Sequence, residues 1–522
     1  MYLRQLEIMG FRGIKRLSIH LRPNMLLIGE NAWGKSSLLA ALSLILNGKN
    51  SLYQFTAEDF HQSDEQQDIT LLFTFSARDN KEDNAKHNQD LQSVLVPNED
   101  GLERIYLRVS GEKQNDKIIT HYSFLNEQGE QIEEKSAVKI AKILINRYPI
   151  YRFRDAYLNK QKLHSTTTPH PITDGEYSRE FNAIITLLQH YFMQTPLEDP
   201  VFDATILWDD LKQLCAKLKQ DESRQLQRQF LALWTSLITA ENHTENHTEN
   251  HAEASHLVHP ILIFETPESR LHPRMVAILW ELTQYLPIQR ITTTNSVELI
   301  SQAALRDICR LVRYTDRTRA YQLARNDLGK EDLRRLTFHV HHNRSLALFA
   351  RTWILVEGET EVWILNELAE LLGVNLDTEG VRIVEFAQSG LRPLIKYAQA
   401  MGIEWYVLTD GDEAGRKYAE TVKSLLDTPE NYSQHITQLP RSDIEHFFYT
   451  EGFEDLFIRL SRWEPRNGHY PMNKIIQRAI QRTSKPDLAI ALSNEMKNRG
   501  TQSIPLLFKK LFSKVLTLTR TQ

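Results

Sequence analysis

The sequence predicts an α/β protein built around two parallel sheets, and two local patterns carry that expectation. From Met25 to Ile28 an apolar run leads into the glycine loop Gly29-Glu-Asn-Ala-Trp-Gly34-Lys35-Ser36 and then into a helical apolar pattern from Ser37 to Leu46. That strand, loop, helix order is the context of a phosphate-binding loop. In the second half, two apolar runs that read as buried parallel strands, Ile354 to Val356 and Trp405 to Leu408, are followed by acids: Glu357 and Glu361 after the first, Asp410 and Asp412 after the second. A chain of 522 residues is too long for one hydrophobic core, so the two patterns are assigned to separate domains.

The composition, 41% hydrophobic and 25% charged, is that of a globular protein and excludes fibrous or disordered classes for most of the chain. The N-terminus lacks a basic segment followed by a long apolar stretch, and no later segment approaches the uninterrupted apolar length of a membrane span, so a cytoplasmic location is expected. Cys215 and Cys309 have no metal-ligand spacing and read as packing residues without a disulfide. The net charge of -5 gives no global attraction to nucleic acid, so DNA contacts must come from local basic patches.

In chain order, strands are expected from Tyr2 to Ile8, Lys15 to Leu21, Ile69 to Phe75, Ile105 to Val109 and Ile118 to Phe124, with one early helix after the glycine loop and a hairpin signal at Glu127-Gln-Gly129. A 3.6-residue period from Tyr177 to about Thr239, as in Phe181, Ile184, Ile185, Leu188 and again Leu211, Leu214, Leu218, predicts a helical insertion. The imperfect repeat from Glu241 onward has almost no apolar content and is expected to stay flexible. Strands ending in polar residues follow at Pro260 to Glu265 and Arg290 to Asn295, then a basic, histidine-rich connector from Lys330 to Arg351. Beyond Phe448 helical patterns rich in lysine and arginine run to the end.

The chemistry follows from these placements. The glycine loop frees backbone N–H groups for phosphates, Lys35 reaches the β and γ phosphates and the Ser36 hydroxyl ligates magnesium; Gly29, Asn31, Gly34, Lys35, Ser36 and Ser37 are the expected nucleotide contacts. Glu357, Glu361, Asp410 and Asp412 emerge at the strand ends where open α/β sheets bind ligands. Carboxylates converging there require cations, and hard oxygen ligands suit Mg2+ or Mn2+; the competing reading is ordinary solvation of strand ends. Arg147-Tyr-Pro-Ile-Tyr151-Arg152-Phe153-Arg154-Asp-Ala-Tyr157 interleaves cations with aromatics as nucleic-acid surfaces do, and reads equally as a strand with one basic face. Arg478, Arg482 and Lys485 share one face if their segment is a single helix.

The P-loop, the opening Ile8-Met-Gly-Phe11-Arg12-Gly13-Ile14 and the later strands resemble an ABC-type ATPase head of the DNA-repair and chromosome-maintenance ATPases, and the acid clusters resemble a Toprim domain. The two on one chain resemble the OLD (overcoming lysogenization defect) family of ATP-dependent nucleases. The resemblance implies an ABC-type head over 1–345, with a dimerising helical insertion at about 165–240 and the repeat at 241–256, a Toprim domain over 346–450, and a helical region over 451–522 completing the nuclease unit. It places Glu265 at the Walker B position and Asn295 at the γ-phosphate switch. Where the family commonly has an acid to polarise water this chain has Thr266, too weak a base at neutral pH, so slow hydrolysis is expected. A glycine-bearing ABC signature is not visible, the nearest candidate being Glu222-Ser223-Arg224-Gln225-Leu226. On the Toprim side it adds Ser389 and Glu445 as further metal ligands and Lys485 as the cation that stabilises transition-state charge. The implied function is a DNA endonuclease using two Mg2+ or Mn2+ ions, with an ATP- and Mg2+-binding head, acting as a homodimer; the alternative is a nucleotide-gated DNA-binding scaffold. A primase or topoisomerase is disfavoured because no tyrosine nucleophile motif, zinc ribbon or priming domain accompanies the Toprim unit.

Overall fold

In a computed structural model that describes residues 1–49, 51–62, 68–78, 86–114, 117–153, 175–188, 204–240, 258–269, 271–342, 344–426, 431–464 and 471–520, the chain divides into two units, Met1–Ala320 and Tyr321–Gln522. The first unit opens with β1 (Tyr2–Phe11), which pairs antiparallel with β2 (Ile14–His20). Leu3 and Leu6 are both buried although an odd number of steps separates them. A register shift between Leu3 and Gln5 re-phases the strand and restores both to the core face.

β3 (Asn24–Ile28), β4 (Asp68–Ser76), β5 (Val96–Pro97), β6 (Glu103–Gln114) and β7 (Lys117–Leu125) follow. β1, β2, β4, β5 and β6 form an antiparallel sheet in the order β2-β1-β4-β6-β5, with β7 also on β6. β3 belongs to the second sheet, with β8 (Ile150–Phe153), β9 (Ile261–Glu265), β10 (Gln289–Thr293), β11 (Ile308–Arg313) and β12 (Thr318–Gln322), in the order β12-β11-β3-β10-β9-β8. Pairing is parallel from β11 through β8. Met25, Leu27, Ile261, Ile263 and Ile291 of this sheet share one core with Leu6, Ile8, Leu71 and Phe73 of the other.

Every strand expected in this unit is present. The expectation of a single early helix is corrected: besides Lys35–Ile45 the N-terminal region carries a helix at Ala137–Arg147, whose Ile140, Ala141, Leu144 and Ile145 repeat at helical spacing and are buried. The turn at Glu127-Gln-Gly129 lies beyond β7 and closes on the Leu125–Gln131 bridge; it does not join two ladder strands. In the helical insertion the described helices are Ser178–Leu188, Ala204–Gln220 and Gln225–Ala240, and Phe181, Ile184, Leu188, Leu211, Leu214 and Leu218 are buried as their period predicts. The repeat at 241–256 lies outside the described residues. Both cysteines are free and buried.

In the second unit the basic connector expected from Lys330 to Arg351 is built of helical turns: an α-helix at Lys330–Leu336, a π-helical turn at Thr337–His342 and a 3-10 turn at Ser345–Phe349. A four-stranded sheet comes next in the order β14-β13-β15-β16, all pairs parallel: β13 (Thr352–Val356), β14 (Val381–Glu385), β15 (Glu404–Thr409) and β16 (Ile436–Gln438). Helices Glu359–Leu371, Leu391–Ala400 and Glu413–Leu425 make the crossovers, as parallel connections require. The C-terminal helices do not stand apart, since Ile475, Leu488, Phe508 and Val515 share one core with Ile354, Val356 and Tyr406 of the sheet. Among the described residues no helix is long and apolar enough to cross a membrane.

Candidate functional site

In the first unit the register of the parallel sheet levels the candidate residues: Thr293 of β10 stands opposite Leu27 of β3 on one side and Glu265 of β9 on the other. The P-loop, the Glu265 carboxylate and the residues after β10 therefore leave the sheet at one C-terminal edge. Gly34 has φ 101° at the start of helix Lys35–Ile45, a conformation that favours glycine. Lys35 Nζ donates to the carbonyls of Gly29 and Glu30 and, at 3.4 Å, to Asn295 Oδ1. It lies folded over the loop, and burial lowers its pKa. This ring of oxygens around an ammonium at a helix N-terminus fits a nucleotide phosphate, which would take the lysine from them. Ser36 and Asn31 are exposed, while Ser37 Oγ accepts the Gly13 N–H at 3.2 Å and ties the β1–β2 turn to the loop.

Glu265 is held by Arg152 of β8, with Nη2 at 2.6 Å and Nε at 2.8 Å from Oε2. Arg147, five percent exposed, faces Asp90 at 3.5 Å. The reading of this segment as a nucleic-acid surface is thereby corrected for both arginines: one is buried and the other is paired with Glu265. Arg154 and Tyr157 lie outside the described residues. The weak signature candidate forms the turn before helix Gln225–Ala240, where the Asp221 carboxylate already accepts the N–H groups of Gln225 and Gln227 at 3.2 and 2.9 Å. A residue that sequence reasoning could not place is Glu268, whose Oε1 accepts from Thr294 Oγ1 at 2.6 Å and from the Asn295 N–H at 3.1 Å.

In the second unit β13 delivers Glu357 and β15 delivers Asp410 at the same sheet edge, because the two strands are adjacent and parallel. Glu361 sits in the first turn of helix Glu359–Leu371 and accepts the Gly358 N–H at 3.0 Å. Asp412 caps helix Glu413–Leu425, accepting the Gly415 N–H at 2.7 Å. Gly411 between the two aspartates has no room for a side chain: a Cβ there would lie 2.2 Å from the Arg441 carbonyl oxygen.

The acids feel one another. Burial, then Glu361, Glu357, Asp443 and Glu445, pushes Asp410 up to about 8. Burial pushes Glu361 up to about 7, and burial followed by the Asp412 charge raises Glu357. Burial also raises Glu445, opposed by Lys485, whose Nζ stands 3.6 Å from Glu445 Oε1. For Lys485 burial acts downward, but Glu445 and Glu361 outweigh it and raise its pKa. Among the described residues no three His, Cys, Asp or Glu side chains are already arranged to hold an ion. The chemistry of the donor set still fits a hard cation: Glu357 Oε2 and Ser389 Oγ are buried oxygens without a hydrogen-bond partner among the described residues, a costly state that a cation or its water would relieve.

The single-helix expectation for Arg478, Arg482 and Lys485 is corrected. Helix Met472–Thr483 ends and Lys485–Arg499 begins anew around Ser484, at φ 72°, so Lys485 belongs to a different helix from the arginines, and Arg478 stacks over Trp463. Sequence reasoning also missed the group behind Asp443, which accepts from the His446 N–H at 2.8 Å and lies 2.6 Å from His446 Nδ1, while His446 Nε2 meets Asn473 at 3.1 Å. The sequence signal was the acid with a histidine three residues on, at the start of a helix.

A family model described as "Protein of unknown function (DUF2813)" matches residues 1–347, and one described as "Overcoming lysogenization defect protein-like, TOPRIM domain" matches residues 348–412. "Uncharacterized protein YbjD" of Escherichia coli (strain K12) is 39% identical over 558 residues, covering 100% of this chain and 99% of its own. Among solved structures, the C-terminal region of the Burkholderia pseudomallei OLD protein is similar over 33% of this chain and 98% of its own, at 20% identity and a TM-score of 0.27. The SMC head domain from Thermotoga maritima is similar over 62% of this chain and 100% of its own, at 10% identity and a TM-score of 0.32.

Proposed function

The chain belongs to the family described as protein of unknown function (DUF2813) and carries a match to the OLD-like TOPRIM domain, and from that premise we propose that it is an OLD-type, divalent-metal-dependent DNA endonuclease with an ATPase-type head that binds ATP. The observation that carries this reading is the gathering of Glu357, Glu361 and Asp410 at one partly buried sheet edge, where Asp410 is pushed up to about 8 by burial and by the acids around it. Mutually repelling, partly buried carboxylates at a strand-end edge support a site that does chemistry or binds cations.

Glu357, Glu361, Asp410 and Asp412, helped by Ser389 and Glu445, would hold Mg2+ or Mn2+; two such ions supply an activated water and stabilise the attacking and leaving oxygens of a phosphodiester. Lys485, tethered by Glu445, supplies a cation for the charge that builds on the phosphate. In the head, Gly29, Asn31, Gly34, Lys35, Ser36 and Ser37 take the nucleotide phosphates, Ser36 and Glu265 orient its magnesium and Asn295 meets the γ phosphate. DNA is the substrate, and heads of this kind act as a homodimer.

The test is incubation of supercoiled plasmid with the purified protein. Nicking is expected with Mg2+ or Mn2+ and not with EDTA, and Glu357→Ala, Asp410→Ala and Asp412→Ala should each abolish it. Nicking at the wild-type rate in all three variants would sink the assignment.

A further inference from the structure

The loop after β9 does something beyond ending a strand. Thr266 takes φ 45°, a strained conformation for a β-branched residue, and its N–H bonds the Thr293 carbonyl at 2.9 Å. This turn folds the chain back across the end of β10 and brings Glu268 onto the switch segment. There Glu268 Oε1 takes two donors, the Thr294 hydroxyl at 2.6 Å and the Asn295 N–H at 3.1 Å. Thr294, fully buried, in turn accepts the Ser296 N–H at 2.9 Å, and Ser296 Oγ accepts from Leu299 N–H at 3.2 Å to cap the next helix. The backbone on both sides of Asn295 is thus pinned, while its side chain stays exposed with Oδ1 3.4 Å from Lys35 Nζ. The other Glu268 oxygen, Oε2, is buried without a partner among the described residues.

Resting on the nucleotide-binding reading of the P-loop, we infer that Glu268 is the positioning residue of the switch: its carboxylate, not a group at 266, sets where Asn295 stands and so lets the head distinguish ATP from ADP. The physical basis is that one carboxylate oxygen holds two donors at once, the Thr294 hydroxyl closely and the Asn295 N–H at 3.1 Å, and so ties both to one place. An asparagine probing a terminal phosphate discriminates only if its backbone cannot retreat from it, because selectivity is a difference in contact free energy between the two ligands. Thr266 cannot serve, as its backbone is committed to β10 and its side chain carries no charge.

The experiment measures the affinities of fluorescent ATP and ADP analogues, with Mg2+ present, for the full-length protein and for Asn295→Ala, Glu268→Ala, Glu268→Gln and the Asn295→Ala/Glu268→Ala double variant, each checked for an unchanged melting profile. Asn295→Ala and Glu268→Ala should each cut the preference for ATP about fivefold or more and leave ADP affinity within about twofold, and the double variant should be no worse than either single one. Glu268→Gln, which keeps an acceptor oxygen for the Asn295 N–H, should restore most of the preference. The inference is overturned if Glu268→Ala keeps the wild-type ratio, or if its loss adds in full to that of Asn295→Ala. A wild-type protein that binds neither analogue would strike the P-loop reading itself, and this inference with it.

Discussion

On the proposed nucleotide-binding reading of the head, the residue at position 266 sets the expected rate of turnover. On that reading Thr266 would occupy the position of the acid that polarises water, and loss of a general base costs roughly 10² to 10⁴ in rate. Thr266→Glu is therefore expected to raise ATP turnover by about tenfold or more, read as phosphate release at saturating ATP; no gain would show that the water is activated from elsewhere. The Toprim acids set a different expectation. Asp410, ordinarily near 3.8, stands at about 8 in the folded state, and Glu361 moves from 4.5 to about 7. Below about pH 4 folded and unfolded chains both keep these protons, and as pH rises the unfolded chain releases them first. The metal-free protein should thus lose stability between roughly pH 4 and 8 and level off above. Melting curves across that range should slope downward, and Asp410→Asn or added Mn2+ should flatten the slope; an equally steep decline in Asp410→Asn would refute the burial of this acid.

Among the elements, the break at Ser484 matters more than the charge of the segment around it. A continuous helix would have carried Lys485 along with Arg478 and Arg482, whereas the restart aims Lys485 at Glu445. Its helix is held by Leu488, fully buried in the core that also contains Ile364 and Leu368 of helix Glu359–Leu371, the helix bearing Glu361. Leu488→Ala should cost about 2 to 5 kcal/mol and lower both melting temperature and nicking rate. Ile490→Ala on the same helix, at a position 43% exposed, should leave both near wild type. Equal effects of the two changes would mean that this helix does not support the site through its packing.

Across the full chain, the boundary between units decides which fragments survive. The two matched family models meet between residues 347 and 348, but the units divide between Ala320 and Tyr321. Packing favours the latter boundary for a fragment, since the buried Trp353 indole donates to the Ala347 carbonyl at 2.7 Å and Ala347 and Leu348 are themselves buried. Residues 321–522 should fold alone and keep metal-dependent nicking, while a fragment starting at 346 should melt lower. Lys35→Ala in the full chain should lose nucleotide binding with nicking retained. A 321–522 fragment that folds and binds Mn2+ yet never cleaves would make the head part of the catalytic unit.

The elements, and the residues that leave them, were legible in short stretches of sequence. Met25 to Ile28 before the glycine loop and Ile354 to Val356 before Glu357 each specify a buried strand together with the residues that leave its C-terminal end, because hydrophobic period and loop chemistry act over a few positions. The helix at Ala137–Arg147 carries its own local signal in the spacing of Ile140, Ala141, Leu144 and Ile145. Pairings across long separations were not readable in this way. That Arg152 would neutralise Glu265, that Glu268 would clamp Asn295 and that Lys485 would face Glu445 depend on which strands lie side by side and where a helix restarts. No local preference encodes such a contact: its partners are set by sheet order and core packing, which arise from the whole chain at once.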